Sequence, residues 1–272
     1  MHLKPLRRGA RPALTDASAA PPAALADVPK RDLRKRLAGI VDRIAARQTA
    51  LFAEGKRALL IVLQGLDTSG KDGTIRHVFG PLNPMGVQIT SFKVPTPIEA
   101  AHDFLWRVHL AIPAKGMIGI FNRSHYEDVL VVRVHRLAPE PVWRARFDMI
   151  NGFERYLTET GTTVLKFCLH ISREEQRERL LARLDDPEKN WKFNAGDLKE
   201  RDRWTDYVRA YADALRLTNT AWAPWYVVPA DRKPVRDMLV AEVVRDTLDR
   251  LNPRYPAVGA EARQLRAILR KD

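Results

Sequence analysis

The spacing of apolar residues along the chain predicts an α/β fold. Five short apolar runs have the length of buried strands, and they lie at 57–64, 87–94, 116–121, 162–170 and 225–228. Apolar residues recur every three or four positions, as on one face of a helix, in 30–53, 97–110, 141–160, 172–184, 198–217, 235–251 and 261–270. A further helix is expected to begin at Lys71. Alternating strands and helices are typical of a mainly parallel sheet of about five strands, and we expect a three-layer α/β/α architecture.

The first 29 residues differ from the rest of the chain. They are rich in alanine and proline and lack a periodic apolar pattern, which predicts a flexible or extended N-terminal arm over 1–29. Residues 30–272 are predicted to form a single domain. A segment of about 183–200 is expected to form a helical lid within it.

A glycine-containing motif follows the first predicted strand. Residues 65–71, Gly-Leu-Asp-Thr-Ser-Gly-Lys, match the phosphate-binding pattern G-x-x-x-x-G-K and lie between a strand and a helix, as that motif requires. The backbone N–H groups of such a loop face a phosphate, and Lys71 adds a positive charge. The sequence therefore predicts a P-loop of the kinase type, whose phosphate-binding members besides Lys71 are Gly65, Thr68, Ser69, Gly70 and Asp72.

Two acidic residues make this loop unusual. Asp72 stands where a serine or threonine hydroxyl usually binds Mg²⁺, and Asp67 adds a carboxylate within the loop. Phosphate oxygens repel a carboxylate unless a divalent cation lies between them. Asp67 is therefore predicted to bind Mg²⁺ or to act as a base toward an acceptor phosphate. The alternative for both residues is capping of the turn and the helix start.

A second polar cluster follows the third predicted strand. It contains Asn122, Arg123, Glu127 and Asp128, and it should border the phosphate loop because open α/β sheets bind ligands at the carboxyl ends of their strands. Arg123 is predicted to reach phosphate, whereas Glu127 and Asp128 are candidates for metal or nucleotide contact, or for helix capping. Asn122 occupies the place of the usual strand-end acid. Arg133 adds a candidate phosphate contact about one helical turn further on.

The predicted lid forms the third cluster. It contains the cations Arg183, Lys189 and Lys192 between two predicted helices. Enzymes of phosphoryl transfer commonly close a mobile segment over the site, which excludes water and brings positive charge to the transferring group. These three side chains are therefore predicted to bind phosphate. The alternative is a solvated segment with surface ion pairs.

Composition narrows the classes of partner. The chain has 272 residues and a formal net charge of +13, which suggests a polyanionic partner. Residues 1–56 contain 12 basic and 5 acidic residues, so more than half of that charge lies outside the motifs.

No apolar stretch reaches the roughly 18 residues of a membrane span and no secretory signal pattern is evident, so we expect a cytoplasmic protein without membrane contact. The lone Cys168 lies in an apolar run and is expected to be a buried structural thiol.

Together the three clusters resemble the polyphosphate kinase 2 family, P-loop kinases that transfer phosphate between inorganic polyphosphate and nucleotides. The resemblance spans about residues 30 to 250. It rests on the segments GLDTSGKDG (65–73), FNRSHYEDVLVVRVH (121–135), DPEKNWKF (186–193), RDRWTDYVRAY (201–211) and APWYVVPAD (223–231).

The resemblance implies catalytic roles for Asp67, Lys71 and Arg123, with Arg123, Arg133 and the lid cations holding the phosphate chain. It also implies dependence on Mg²⁺, or alternatively Mn²⁺, with Asp67 as a ligand, and a homo-oligomer, either a dimer or a tetramer. The pair Asn122 and Glu127 resembles the branch called class III, which accepts nucleoside mono- and diphosphates. Glu127 would then contact the acceptor nucleotide.

We therefore expect a polyphosphate:nucleotide phosphotransferase that converts AMP to ADP and ADP to ATP. Its partners would be inorganic polyphosphate and purine nucleotides. One alternative uses the same chemistry, an ATP-dependent nucleoside monophosphate kinase similar to thymidylate kinase. Another is a nucleic-acid-binding P-loop protein, whose affinity for DNA or RNA would fall steeply with salt. No recognised nucleic-acid motif is present to favour it.

Overall fold

The centre of the molecule is a parallel β-sheet. A computed structural model describes residues 3–188, 190–192, 196–257, 259, 265, 266 and 268–270. The strands, in chain order, are β1 (Ala58–Gln64), β2 (Val87–Ser91), β3 (Ile118–Asn122), β4 (Thr162–His170) and β5 (Trp225–Pro229). They lie in the order β2-β3-β1-β4-β5, and every neighbouring pair is parallel. The predicted α/β fold with a mainly parallel sheet of about five strands is confirmed.

Helices cover both faces of this sheet. Those before β3 are α1 (Asp16–Ala19), α2 (Ala23–Ala26), α3 (Lys30–Glu54), α4 (Lys71–Thr74), α5 (Pro97–Ala100) and α6 (Trp106–His109). Those after β3 are α7 (Val131–Val134), α8 (Glu140–Glu159), α9 (Arg173–Asp185), α10 (Gly196–Asp202), α11 (Trp204–Leu217) and α12 (Lys233–Leu251). A π-helical turn, Ile75–Phe79, continues α4, and 3₁₀ turns lie at Pro84–Gly86, His125–Asp128 and Asn190–Lys192.

The middle strand β1 shows why the apolar runs are continuous. All of its residues are buried. Leu59 and Ile61 pack on the face covered by α3 and α12, whereas Leu60 and Val62 pack on the face covered by α8 and α11. A parallel strand with helices on both faces has no solvated side, so its sequence does not alternate between apolar and polar residues.

Two long predicted helices are interrupted. The segment 97–110 forms α5 and α6 with turns between them, because the Asp103 side chain accepts a hydrogen bond from Leu105 N at 2.9 Å and starts a new turn. The segment 198–217 breaks at Arg203 between α10 and α11. The predicted strand 87–94 ends at Ser91, before Pro95. Of the predicted helix 261–270, the structure describes residues 265, 266 and 268–270, and it assigns helix at 265, 266, 268 and 269.

The segment before α3 lies along β5, an edge strand of the sheet. Leu6 N donates to Trp225 O at 2.7 Å, which extends hydrogen bonding beyond this edge. His170 at the end of β4 contacts Thr15 O at 2.8 Å, and Leu25 is buried in the core with α3 and α12. The segment thus covers backbone groups that an open sheet edge would expose.

The sheet also buries the lone cysteine, as the sequence predicts. Cys168 lies in β4 with its side chain shielded from solvent. Burial raises the pKa of its thiol to about 12, so the thiol stays protonated and unreactive at neutral pH. Among the described helices, none combines the length and the hydropathy required to cross a membrane.

Candidate active site

The phosphate loop and the second polar cluster meet at the carboxyl edge of the sheet. Leu63 in β1 pairs with Asn122 in β3, so the segments that follow these strands leave the sheet side by side. Arg123 Nη2 lies 2.7 Å from Asp67 Oδ1 and joins the two segments. The structure therefore brings both clusters to one crevice.

The glycines of the loop allow close packing around it. Gly65 and Gly70 have φ angles of 154° and 101°, which side-chain-bearing residues rarely adopt. A Cβ atom at Gly65 would lie 2.5 Å from the carbonyl oxygen of Leu169. Position 65 thus requires glycine for two reasons: its backbone conformation is unfavourable for other residues, and a side chain there would clash with the end of β4.

Lys71 curls back into the loop. Its Nζ donates to Gly65 O at 2.7 Å and to Leu66 O at 3.2 Å. Burial, with the nearby charge of Arg123, lowers the pKa of Lys71 to about 8, against the opposite influence of Asp67. The hydroxyls of Thr68 and Ser69 are also buried and, within the described residues, have no hydrogen-bond partner. Buried donors of this kind are suited to phosphate oxygens.

Side chains from distant helices hold the outside of the loop. Arg179 on α9 donates to Thr68 O at 2.8 Å, and Arg236 on α12 donates to Ser69 O at 3.1 Å. Gln176 donates to Asp67 O at 3.1 Å. Sequence analysis did not identify these three, because no motif connects them to the loop. The sequence holds no local signal for them, because they reach the loop only once their helices have packed against the sheet.

The second cluster presents opposite charges to the loop. Arg123 lies 3.6 Å from Glu127 as well as contacting Asp67. Burial disfavours its charge, but Glu127 and Asp67 outweigh burial and raise the pKa of Arg123. Burial raises the pKa of Glu127, although the positive charges of Arg123 and Lys71 oppose the increase. Four charged groups, Lys71, Asp67, Arg123 and Glu127, thus share one partly desolvated site.

Asn122 contacts the loop at a second point. Its Nδ2 donates to Asp72 Oδ1 at 2.8 Å. A carboxylate at position 122 would instead repel Asp72 unless a cation lay between the two. Within the described part of the chain, no three His, Cys, Asp or Glu residues group closely enough to hold a metal unaided. A metal here would need substrate oxygens among its ligands.

Three further predicted residues, Asp128, Arg133 and Arg183, form ion pairs. Asp128 pairs with Arg146 at 3.1 Å, and Arg133 pairs with Asp213 at 2.9 Å. Neither Asp128 nor Arg133 lines the cavity beside the phosphate loop. Arg183 pairs with Asp197 at 3.2 Å between α9 and α10. Lys189 and the Lys192 side chain lie outside the described residues.

A cavity of about 350 Å³ extends from the loop to α11. Its polar end contains Asp67, Arg123 and Glu127. Its aromatic and aliphatic walls include Val94, Leu130, Val131, Trp204, Tyr207 and Tyr211, and the polar residues His135, Gln176, Asp197 and Glu200 also line it. These wall residues were missed as site residues, although the aromatic spacing in 201–211 was visible in the sequence.

Helix α10 covers one side of this cavity. Glu200 Oε2 lies 2.9 Å from His135 Nε2 and also accepts a hydrogen bond from the Tyr207 hydroxyl. Arg201 donates to Arg173 O at 2.7 Å and to Gln176 Oε1 at 2.9 Å. The cover is therefore tied to the α7 segment and to α9 by polar contacts.

A phosphate loop, an arginine-bearing turn and a helical cover at the carboxyl edge of a parallel sheet define a P-loop phosphotransferase. The family model described as Polyphosphate kinase 2 (PPK2) matches residues 27–256. The chain belongs to that family, which confirms the resemblance found in the sequence.

Named relatives agree with this assignment. The chain is 52% identical over 227 residues to the AMP/ADP-polyphosphate phosphotransferase of Meiothermus ruber, covering 84% of this chain and 85% of the relative. It is 46% identical over 228 residues to the ADP-polyphosphate phosphotransferase of Rhodopseudomonas palustris, covering 79% of each. The crystal structure of polyphosphate kinase 2 from Arthrobacter aurescens TC1 is similar with a TM-score of 0.87 and 41% identity, over 99% of this chain and 100% of that one.

Proposed function

We propose that this chain transfers phosphoryl groups between inorganic polyphosphate and adenine nucleotides, converting AMP to ADP and ADP to ATP. The observation that carries the proposal is the contact between Arg123 and Asp67, because it joins the two family motifs in one cavity. The AMP/ADP-polyphosphate phosphotransferase of Meiothermus ruber, at 52% identity, supports both acceptors.

The forward reaction is an in-line exchange of two P–O bonds. A terminal phosphate oxygen of the acceptor attacks the last phosphorus of polyphosphate, and a new P–O bond forms while the bridging P–O bond to the next phosphate breaks. The shortened chain leaves with the electron pair of that bond. Charge accumulates on the transferring oxygens, so fixed cations stabilise the transition state.

The residues of the crevice suit this chemistry. Lys71, the loop amides and the hydroxyls of Thr68 and Ser69 would hold the acceptor's terminal phosphate. Asp67 would orient the attacking oxygen, and Arg123 would neutralise charge on the donor chain. The aromatic walls around Tyr211 offer an apolar surface for the nucleotide.

The same residues fit Mg²⁺. This ion is usually held by one or two carboxylates together with substrate phosphates, rather than by a complete protein cage. Asp67 would supply that carboxylate. The ion would neutralise phosphate charge. Without it, the carboxylate of Asp67 and the phosphate oxygens would repel each other.

A donor-by-acceptor matrix tests the proposal. ATP or polyphosphate is supplied with Mg²⁺ and with AMP, ADP, GMP or GDP, and product nucleotides are measured. We expect polyphosphate to support ATP formation from ADP. Phosphorylation of AMP by ATP, with no product from polyphosphate, would instead establish a nucleoside monophosphate kinase.

Two variants test the site assignment. Asp67→Ala and Lys71→Ala should abolish ATP formation while the thermal unfolding profile stays cooperative, because neither side chain belongs to the core clusters. Arg155→Gln is the matched control, since Arg155 forms an exposed ion pair with Glu159 on α8 and does not line the cavity. Near-full activity in both alanine variants would refute the assignment.

A further inference from the structure

A fully buried polar cluster lies beneath the turn that carries Arg123. It consists of Tyr126, Glu154 and Lys166, all shielded from solvent. The Tyr126 hydroxyl donates to Glu154 Oε1 at 2.8 Å. Lys166 Nζ donates to Glu154 Oε2 at 2.6 Å and to the Tyr126 oxygen at 2.9 Å. This buried cluster joins the turn to α8 and β4.

The surroundings complete the cluster. Thr218 O accepts the third contact of Lys166 Nζ at 2.7 Å, and His125 Nε2 lies 3.4 Å from Glu154 Oε1. Burial raises the pKa of Tyr126 well above its usual range, and the charge of Glu154 adds to this, so the hydroxyl remains a donor. Every polar end group of the cluster therefore has a defined partner.

The turn above the cluster has an unfavourable backbone. Arg123 has a φ angle of 62°, in the left-handed region that costs energy for a residue with a Cβ atom. Such conformations persist where surrounding contacts determine them. Ser124 Oγ accepts from Gln64 Nε2 at 3.0 Å and from Tyr126 N at 3.2 Å, which fixes the turn to β1.

The cluster is not explained by fold stability alone. Burying an ion pair removes both charges from water, and replacing such a pair with apolar side chains is often neutral or stabilising. The pair Glu154 and Lys166 does, however, hold Tyr126 in place. Tyr126 lies between Arg123 and Glu127, the two residues of this turn that line the cavity.

We propose that Tyr126, Glu154 and Lys166 are positioning residues that hold the turn so that Arg123 meets Asp67. The inference rests on the proposed function, because it assigns the cluster a role in phosphoryl transfer. None of the three lines the cavity, so their effect on the reaction passes through the turn. Displacing Arg123 would weaken transition-state stabilisation more than substrate binding.

The experiment compares Tyr126→Phe and Glu154→Gln with the wild type. Tyr126→Phe keeps the ring and removes one hydroxyl, so it serves if Glu154→Gln fails to fold. Val244→Ala is the control, because it opens a buried site in α12 on the other face of the sheet. All are assayed well below their unfolding temperatures, with kcat and KM determined separately.

We expect Tyr126→Phe to lower kcat by about 10- to 100-fold with KM changed less than about twofold, as for a displaced transition-state group. Val244→Ala should lower thermal stability but leave kcat unchanged. In an Arg123→Ala background, Tyr126→Phe should cause no further loss of kcat, because the two substitutions remove the same interaction. Additive losses, or a Tyr126→Phe variant that behaves as Val244→Ala does, would overturn the inference.

A crystal structure of Tyr126→Phe separates this inference from the proposed function. We expect Arg123 to leave its left-handed conformation and its contact with Asp67. An unchanged Arg123 would overturn the positioning role. A wild-type protein inactive with polyphosphate would overturn the proposed function, while the position of Arg123 in the variant would still decide the inference.

Discussion

At the scale of single residues, Lys71 has a charge that depends on pH near neutrality. Burial, followed by the charge of Arg123, lowers its pKa to about 8. The ammonium form binds phosphate and predominates below that pH, so kcat/KM should fall as the pH rises through about 8. A pH profile of kcat/KM for ATP formation measures this.

Two variants serve as controls for this pH profile. Lys71→Arg keeps a positive charge at all these pH values, so its profile should lack the inflection near 8. Arg123→Gln removes one of the causes of the low pKa and should move the inflection upward. A wild-type profile that stays flat to pH 10 would contradict the assignment of Lys71.

The contact between Asn122 and Asp72 predicts a cation-dependent variant. Asn122→Asp would place two carboxylates where an amide now donates at 2.8 Å. Their repulsion should lower the free energy of unfolding by about 1 kcal/mol, which is the Coulomb energy of two unit charges 4 Å apart in water. We expect the melting temperature of Asn122→Asp to fall in EDTA and to recover with Mg²⁺. Asn122→Leu, which lacks the second charge, should show no such recovery.

The site was predictable where its residues are local in sequence. Lys71 and Asp67 lie in a motif with fixed spacing, and Arg123 follows a strand whose carboxyl end had to meet the loop. Arg179 and Arg236 were not predictable, because they reach the loop only after α9 and α12 have packed against the sheet. Asp128 and Arg133 form ion pairs and do not line the cavity.

At the scale of elements, α12 supports the phosphate loop through Arg236. This buried guanidinium donates to Ser69 O and pairs with Asp237, which also accepts from the Thr74 hydroxyl. Arg236→Met would leave Asp237 buried without that charge, so we expect a loss of about 3–5 kcal/mol in the free energy of unfolding. Urea denaturation measures the loss, and Arg236→Met with Asp237→Asn should recover part of it.

Helix α10 should control access of water to the cavity. Arg201 fixes this helix to Arg173 O and Gln176 Oε1. We expect Arg201→Ala to loosen the cover and to increase phosphate release from polyphosphate in the absence of nucleotide, because closed covers exclude water. Lys199→Ala, an exposed change on the same helix, is the control. Equal phosphate release in both variants would argue against a water-excluding role.

The elements were predictable to different degrees. The strands β1, β3, β4 and β5 were found because they are almost wholly buried, which makes their apolar runs continuous. The edge strand β2 is only partly buried, and its sequence Val-Gln-Ile-Thr-Ser alternates instead. The helix predicted over 97–110 fails because periodicity does not reveal a side-chain contact such as that of Asp103, which begins a new turn inside the apolar pattern. The break at Arg203 is not visible in the periodicity either.

At the scale of the whole molecule, the positive charge and the active site are largely separate. Residues 1–56 hold 12 basic and 5 acidic residues. Within the first 29, Leu6 contacts the edge strand β5, Thr15 contacts β4, and Leu25 packs in the core with α3 and α12. This placement predicts that the N-terminal segment stabilises the fold rather than binding polyphosphate. Leu6 N covers a backbone oxygen of Trp225, and Leu25 joins the core.

Deleting residues 1–29 should therefore lower stability without a matching loss of polyphosphate affinity. Removing buried apolar groups such as Leu25 costs about 1.5–3 kcal/mol each, and the exposed edge of β5 should promote aggregation. The matched control, Arg7→Gln with Arg8→Gln and Arg11→Gln, removes charge but keeps the segment, so its melting temperature should stay near that of the wild type. A large rise in the KM for polyphosphate in this control would show that the N-terminal charge takes part in binding.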